Sequence, residues 1–245
     1  VMRAIDSVLN QSYKEFELIV VDDGSTDHTA AYLEIYKDPR LQIVRQENQG
    51  VAAARNHGVK LAKSDWICFL DSDDVWRRHK LSEQLRFHAS HRDTLFSQTD
   101  DIWIRDGRRV NKKKVHGIRE GDIFADSLRL CLVCCSSVMV NKALFWQVGG
   151  FDESLQTCED YDLWLRLLAN HPVGFVPKKL VTKFGGHADQ LSKAYSIMDQ
   201  YRLYSLEKLL KSDLLNDKQR ELVIAEVAYK NSIVEKGRLK HEQKI

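Results

Sequence analysis

Apolar positions along this chain fall into two rhythms, and the rhythms alternate. Short apolar runs cover residues 16–21, 41–44 and 66–70. Runs this brief, with Glu17 and Gln42 their only polar residues, suit buried strands. Between them the spacing is helical. Residues 2–13 place Ile5, Val8 and Leu9 on one face, and residues 29–36 and 51–62 continue the pattern. Asp38-Pro39 and Gln49-Gly50 punctuate the helices. The order strand–helix–strand–helix–strand with short links predicts right-handed crossovers and a parallel sheet.

The pattern changes after residue 74. A helix is expected over 77–90, then short strands at 95–97 and 102–104 and a polar hairpin around Asp106-Gly107. A helix over 122–130, a strand over 133–140 and a short helix from Lys142 to Gly149-Gly150 follow. Residues 159–170 form a helix whose apolar face includes Leu163, Leu167 and Leu168. Late strands fall at 173–176 and 180–184. From 195 onward the chain is charged and helical, with Leu203, Leu206, Leu209 and Leu210 in a stripe. The fold class expected is α/β: a mostly parallel sheet flanked by helices, with a C-terminal helical extension.

Composition narrows the function classes without choosing among them. The 245 residues are 43% hydrophobic and 29% charged, as in an ordinary globular protein. A net charge of +2 gives no footprint for nucleic acid, and no partner of that kind is expected. No apolar run is long enough to span a bilayer. Five cysteines at irregular spacing argue against a disulfide framework and suit a reducing, cytoplasmic setting. Cys131, Cys134 and Cys135 lack a second pair at ligand spacing, so they read as buried structural thiols. Residues 105–119 carry seven basic side chains and one acid. The plain reading is a solvated hairpin; the sharper one is contact with a phosphorylated acceptor or, peripherally, with an anionic membrane face.

Carboxylates concentrate just past the predicted strand ends, where ligands bind in open α/β sheets. Asp22 and Asp23 follow the first strand. They suit hydrogen bonds from a nucleobase or ribose, or simple helix capping. Asp71, Asp73 and Asp74 crowd the end of the strand at 66–70 with only Ser72 among them. Such mutual repulsion suits a set of donors or a hard divalent cation, Mg²⁺ or Mn²⁺, which takes carboxylate oxygens and leaves positions for phosphate; the plain alternative is a solvated loop that caps the next helix. Glu159 and Asp160 open a helix, as dipole-matched acids or as a general base. His187 follows Gly185-Gly186, either solvated or completing a metal shell.

Taken in order, the segments 3–13, 16–27, 47–56, 69–74, 149–153 and 159–164 resemble the family 2 glycosyltransferases, inverting enzymes of the GT-A fold. The resemblance covers residues 1 to about 192 and implies roles for the matching positions. Asp23, with Asp22 beside it, corresponds to the acid on the nucleotide base, and Arg55 to a helix arginine approaching the nucleotide. Asp71 and Asp73 correspond to the D-x-D pair, with Asp73 on the metal and Asp71 on ribose or metal. Asp160 corresponds to the catalytic base with Glu159 as its neighbour, and His187 to a late metal ligand. The implied reaction moves a sugar from a nucleotide-diphosphate donor, UDP-linked by expectation, to a hydroxyl of a glycan or lipid-linked acceptor. Residues 1–100 then form the nucleotide-sugar half, 101–192 the acceptor and catalytic half, and 193–245 the helical extension. A non-catalytic GT-A-like binding module and a nucleotidyltransferase are the competing readings. Family members begin with a strand that this sequence does not show, so a vacant central position in the sheet is expected, with a cost in stability.

Overall fold

The computed structural model describes residues 1–112, 115, 117–186 and 198–242. The opening elements follow the hydrophobic pattern. Helix α1 (Met2–Leu9) buries Ala4, Ile5 and Val8. Strand β1 (Leu18–Asp23) leads through α2 (Thr29–Leu33) to β2 (Leu41–Gln46), and the two strands pair in parallel from Leu18↔Leu41 to Asp23↔Gln46. Helix α3 (Val51–Leu61) starts at Gly50, whose φ of 92° is one that glycine adopts without strain.

The larger sheet departs from the expected one. Strand β3 (Trp66–Cys68) does not join β1; it pairs antiparallel with β7 (Met139–Asn141). At the centre lies β5 (Phe96–Arg105), antiparallel to β7 and to the hairpin strand β6 (Arg108–Val110), and parallel to β8 (Gly174–Gly185). Strand β4 (Val75–Trp76) closes the far edge against β8, also antiparallel. The sheet is therefore mixed rather than mostly parallel, because the second half of the chain returns its strands beside β5 without helical crossovers between β5 and β6.

Polar interiors hid the long strands. Gln98, Thr99 and Asp101 are buried in the middle of β5, so the sequence shows two short apolar runs where one strand stands. Exposed Pro177, Lys178 and Lys179 divide β8 in the same way. The register of this pair shifts on either side of Asp100. The expected strand over 133–140 is a 3₁₀ turn (Cys135–Ser137) followed by β7, and the helix over 122–130 contracts to α5 (Phe124–Ser127).

The main core lies between this sheet and the later helices. Phe96, Val138 and Phe145 meet Leu163, Trp164 and Leu167 there with essentially no exposure. Helix α7 (Glu159–Leu168) is buried at every residue except Asp160. Helices α8 (Met198–Leu210) and α9 (Asp217–Glu242) pack on the same core through Leu206, Leu209 and Val223. A smaller core joins α1 and α4 (Lys80–Ser90) under β4 through Val8, Trp76, Leu81 and Val181. Among the described residues, β1 has only β2 as a partner and β3 only β7. Between their open edges runs an apolar slot lined by Ile19, Val21, Val59, Ile67 and Leu70. It lies where the vacant strand position was expected. No described helix is long and apolar enough to cross a membrane.

Candidate functional site

The slot opens into a single cavity of about 1030 Å³ that also collects the acidic residues. Asp23, Arg55, Asp71, Ser72, Asp73, Asp74, Glu159 and Asp160 all line it. These residues come from four separate segments: the end of β1, the middle of α3, the loop after β3 and the first turn of α7. That volume takes in the apolar slot as well as the acidic end, and ordinary ligand pockets run to about 300–1,000 Å³.

Arg55 draws three of the segments together. Its guanidinium reaches from α3 to Asp71 Oδ1 at 2.7 Å through Nη2, and to Glu159 Oε1 at 2.5 Å through Nη1. Its flat face lies 5.2 Å from the centre of the Phe151 ring. Neighbouring Asn56, fully inside, donates to Phe151 O at 2.8 Å and accepts from Phe151 N–H at 3.0 Å. The Gly149–Glu153 segment is thereby stitched to the same helix. Gly150 has φ of 66°, and a Cβ there would stand 2.9 Å from Trp146 and 3.0 Å from Asn56 Oδ1. The glycine pair thus does more than end a helix: it lets this loop pass against α3.

The loop after β3 is braced from below. Asp71 N–H donates to Ser136 Oγ at 3.1 Å, and Trp76 Nε1 donates to Ser136 O at 2.7 Å. Asp74 is buried and accepts from Phe184 N–H of β8 at 3.2 Å. Burial, and then the nearby Asp71 charge, push the Asp74 carboxyl up to about 7. Asp74 therefore braces the loop against β8 as well as lining the cavity with Asp71 and the half-buried Asp73. Lys183 and Phe184 line the cavity beside them. Sequence reasoning missed both, because β8 carries no motif that marks its inner face.

The first acidic pair divides its work. Asp22, with its side chain 2% exposed, accepts from Ser25 N–H at 2.8 Å and sits 3.7 Å from Arg45 Nε. It holds the turn after β1 and does not line the cavity. Asp23 accepts from Gln46 Nε2 at 2.8 Å, Gln49 N–H at 2.9 Å and Gly50 N–H at 2.8 Å. A carboxylate has about four acceptor sites, so one direction remains for a ligand in the cavity.

On α7 the two acids have different surroundings. Burial and the adjacent Asp160 charge hold the Glu159 carboxyl above its ordinary range, and Arg55 opposes that shift. Asp160 faces the cavity, with Oδ1 accepting from Tyr161 N–H at 2.7 Å. The helix begins after Cys158, a non-glycine residue with φ of 61°, which turns the chain sharply enough to set both acids on the cavity wall. Below them Asp162 and Arg166 form a buried pair. Arg166 also donates to Gly150 O at 2.7 Å.

His187 lies outside the described residues. All five cysteines are free thiols. Among the described residues no cluster of three or more His, Cys, Asp or Glu is poised to hold a metal. Two carboxylates on the wall, Asp73 and the second oxygen of Asp71, are a fitting donor set for Mg²⁺ or Mn²⁺, which bind through one or two carboxylates and complete their shell with phosphate and water. In the basic stretch, Lys112 pairs with Asp100 and Asp101, and Arg119 with Asp126. The turn at Asp106-Gly107 is the expected hairpin.

Comparison with known proteins identifies this assembly. The profile of glycosyl transferase family 2 matches residues 1–149. TuaG of Bacillus subtilis (strain 168), a putative teichuronic acid biosynthesis glycosyltransferase, is 36% identical over 168 residues, covering 67% of this chain and 65% of that one. WfaP of Escherichia coli, a UDP-Glc:alpha-D-GlcNAc-diphosphoundecaprenol beta-1,3-glucosyltransferase, is 31% identical over 170 residues, covering 67% and 63%. An uncharacterized glycosyltransferase of Rickettsia felis is 34% identical over 180 residues, 73% of this chain but 30% of its own length. The chain thus spans about 30% of the length of this Rickettsia relative. In fold it is similar to S. aureus TarS solved with UDP-GlcNAc, with a TM-score of 0.75 at 20% identity, over 94% of this chain and 68% of that one. The architecture is the GT-A fold, and the chain belongs to glycosyltransferase family 2.

Proposed function

We propose that this domain transfers a sugar, with inversion, from a UDP-linked donor to a hydroxyl of a cell-surface glycan or lipid-linked glycan. The observation that carries the reading is the Arg55 bridge. It fixes the acid loop after β3 and the acidic start of α7 on one cavity wall, so a donor's diphosphate and an acceptor's hydroxyl can meet between them. The names of TuaG and WfaP support the class of acceptor, and the UDP-GlcNAc held by TarS supports the class of donor.

In this reading Asp23 accepts from the uracil or ribose with its remaining lone pair. Asp73, with Asp71, holds the divalent cation. The cation, when bound, supplies charge stabilisation to the departing diphosphate. Asp160 accepts the proton of the attacking hydroxyl. Glu159 and Arg55 hold the start of α7 in place. The attack is direct, so no covalent sugar–enzyme bond is involved. The basic hairpin and the reducing-compartment cysteines favour work at the cytoplasmic face of a membrane.

The test is release of UDP from a panel of UDP-sugars with Mn²⁺ or Mg²⁺ and polyprenyl-linked or glycan acceptors. Asp160→Asn is expected to abolish transfer and keep UDP-sugar binding, read by thermal shift. Asp73→Ala is expected to weaken metal-dependent binding. Transfer that survives in Asp160→Asn refutes the base assignment. The open slot beside the acids favours one second reading, a nucleotide-binding module without turnover. It predicts UDP-sugar binding with no UDP release from any donor.

A further inference from the structure

The carboxylate of Asp160 has a second partner that no motif marks. Its Oδ2 accepts from Cys131 Sγ at 3.5 Å, an ordinary length for a thiol donor given the size of sulfur. Its Oδ1 is already fixed by Tyr161 N–H. The thiol comes from the irregular stretch between α5 and the 3₁₀ turn. That stretch is tied to α7 itself, because the Tyr161 hydroxyl donates to Leu128 O. Leu128 and Val133, on either side of Cys131, are 3% and 2% exposed. The position of the sulfur is therefore set by the same helix that carries Asp160.

From this geometry we infer that Cys131 is a positioning residue for Asp160, a neutral donor that holds the carboxylate in the orientation in which it meets the acceptor hydroxyl. The inference rests on the reading of Asp160 as the general base. Burial and then the Asp160 charge push the Cys131 thiol well above its ordinary range, so it stays protonated and donates. Its single proton has one alternative acceptor, Val133 O at 3.3 Å. A carboxylate attracts the proton more strongly than a carbonyl does. Once Asp160 has taken a proton from the acceptor, the balance reverses and the thiol can turn to Val133. Cys131 thus grips the base in its charged form and lets go of it in its neutral form.

Two measurements test this. The first needs no turnover: iodoacetamide alkylation of the full chain at a fixed, mildly alkaline pH, followed by peptide mass spectrometry that reads Cys131 apart from the other four thiols. Asp160→Asn is expected to speed labelling at least about threefold, since it removes the charge that suppresses the thiolate. The second is steady-state kinetics with the UDP-sugar that gives UDP release. Cys131→Ala is expected to lower kcat about five- to twentyfold, with KM for the UDP-sugar within about twofold. Cys131→Ser, which restores a donor, is expected to recover most of kcat. An unchanged labelling rate in Asp160→Asn overturns the contact. Equal kcat in all three proteins, or equal losses in the Ala and Ser variants, overturns the positioning role. If Asp160→Asn itself keeps full transfer, the base reading falls; if it abolishes transfer while Cys131→Ala is silent, only the Cys131 proposal falls.

Discussion

Replacing Arg55 with alanine leaves Glu159 and Asp71 without the cation they share. The Glu159 arm carries most of the cost, because that side chain is 9% exposed and its partner 16%. Breaking a buried pair by removing one member costs about 3–5 kcal/mol. The Asp71 arm is 36% exposed on the acid side, and solvent screens such a pair to about 1 kcal/mol or less. Glu159 recovers part of the loss by taking up a proton, because its carboxyl is already raised by burial and Asp160 and Arg55 was the opposing influence. The expected net loss is about 3 kcal/mol, a large share of the roughly 5–15 kcal/mol that holds an ordinary domain together. Urea denaturation followed by tryptophan fluorescence measures it, since Trp76 and Trp164 are buried. Arg55→Lys should recover less than half, because one ammonium cannot fork across two carboxylates. The sign with pH is also fixed. A carboxyl whose folded pKa is raised is neutral at low pH, so it needs no cation there. The loss in Arg55→Ala should therefore be smaller near pH 5 than near pH 8. A loss below about 1 kcal/mol near pH 8, or a lysine variant as stable as the parent, would refute the bridge.

Three further outcomes follow from other parts of the fold. His88 is buried, stacks 3.9 Å from Trp66 and is pushed down to about 4 by burial; its folded pKa lies below its unfolded one, so stability should fall as pH drops from about 6.5 to 4, by up to about 3 kcal/mol. An NMR titration of this imidazole that gives an ordinary histidine value would contradict it. Asn56→Ala strands both backbone groups of Phe151 and should cost about 2–4 kcal/mol, read by chemical denaturation. An extended segment of alternating apolar residues, fused ahead of Val1 through a flexible linker, should enter the slot between β1 and β3 and raise Tm; no rise would show that the slot is not a strand position.

The sequence made most of the site legible, because its chemistry sits in contiguous motifs. Asp71, Asp73, Glu159, Asp160, Asp23 and Arg55 all line one cavity, as strand-end and helix-start acids should. What stayed hidden depends on distant partners. Asp22 looks identical to Asp23 in sequence, yet Ser25 and Arg45 bind it into a turn. Asp74 stands in the acid run but belongs to β8 through Phe184. The topology was half legible. The crossover rule set β1 beside β2, while β3 found its partner more than seventy residues later, in a three-residue strand too short to carry a period. Buried Gln98, Thr99 and Asp101 break the apolar rhythm of β5; Gln98 donates to Arg119 O and Asp101 pairs with Lys112, partners later in the chain that no local pattern announces.

The helices after residue 198 act on the site through α7. Lys208 of α8 reaches Asp152 Oδ2 at 2.6 Å and Asp162 Oδ2 at 3.1 Å, the latter within one turn of the cavity acids on α7. Gln219 of α9 donates to Ala169 O at 2.8 Å, and Asn170 donates to Leu214 O at 3.0 Å, so the far end of α7 is held as well. Leu206 and Leu209 fill the core between. A helix gripped at both ends cannot slide, and Glu159 and Asp160 at its start line the cavity. The C-terminal helices therefore form part of the scaffold that holds the candidate site. Leu206→Ala should cost about 2–5 kcal/mol as a core truncation. By loosening α7 it should lower kcat for UDP release more than it weakens binding of the UDP-sugar, whose proposed contacts come from β1, α3 and the loop after β3. A variant that loses stability by that amount yet keeps kcat unchanged would separate the tail from the site and refute this coupling.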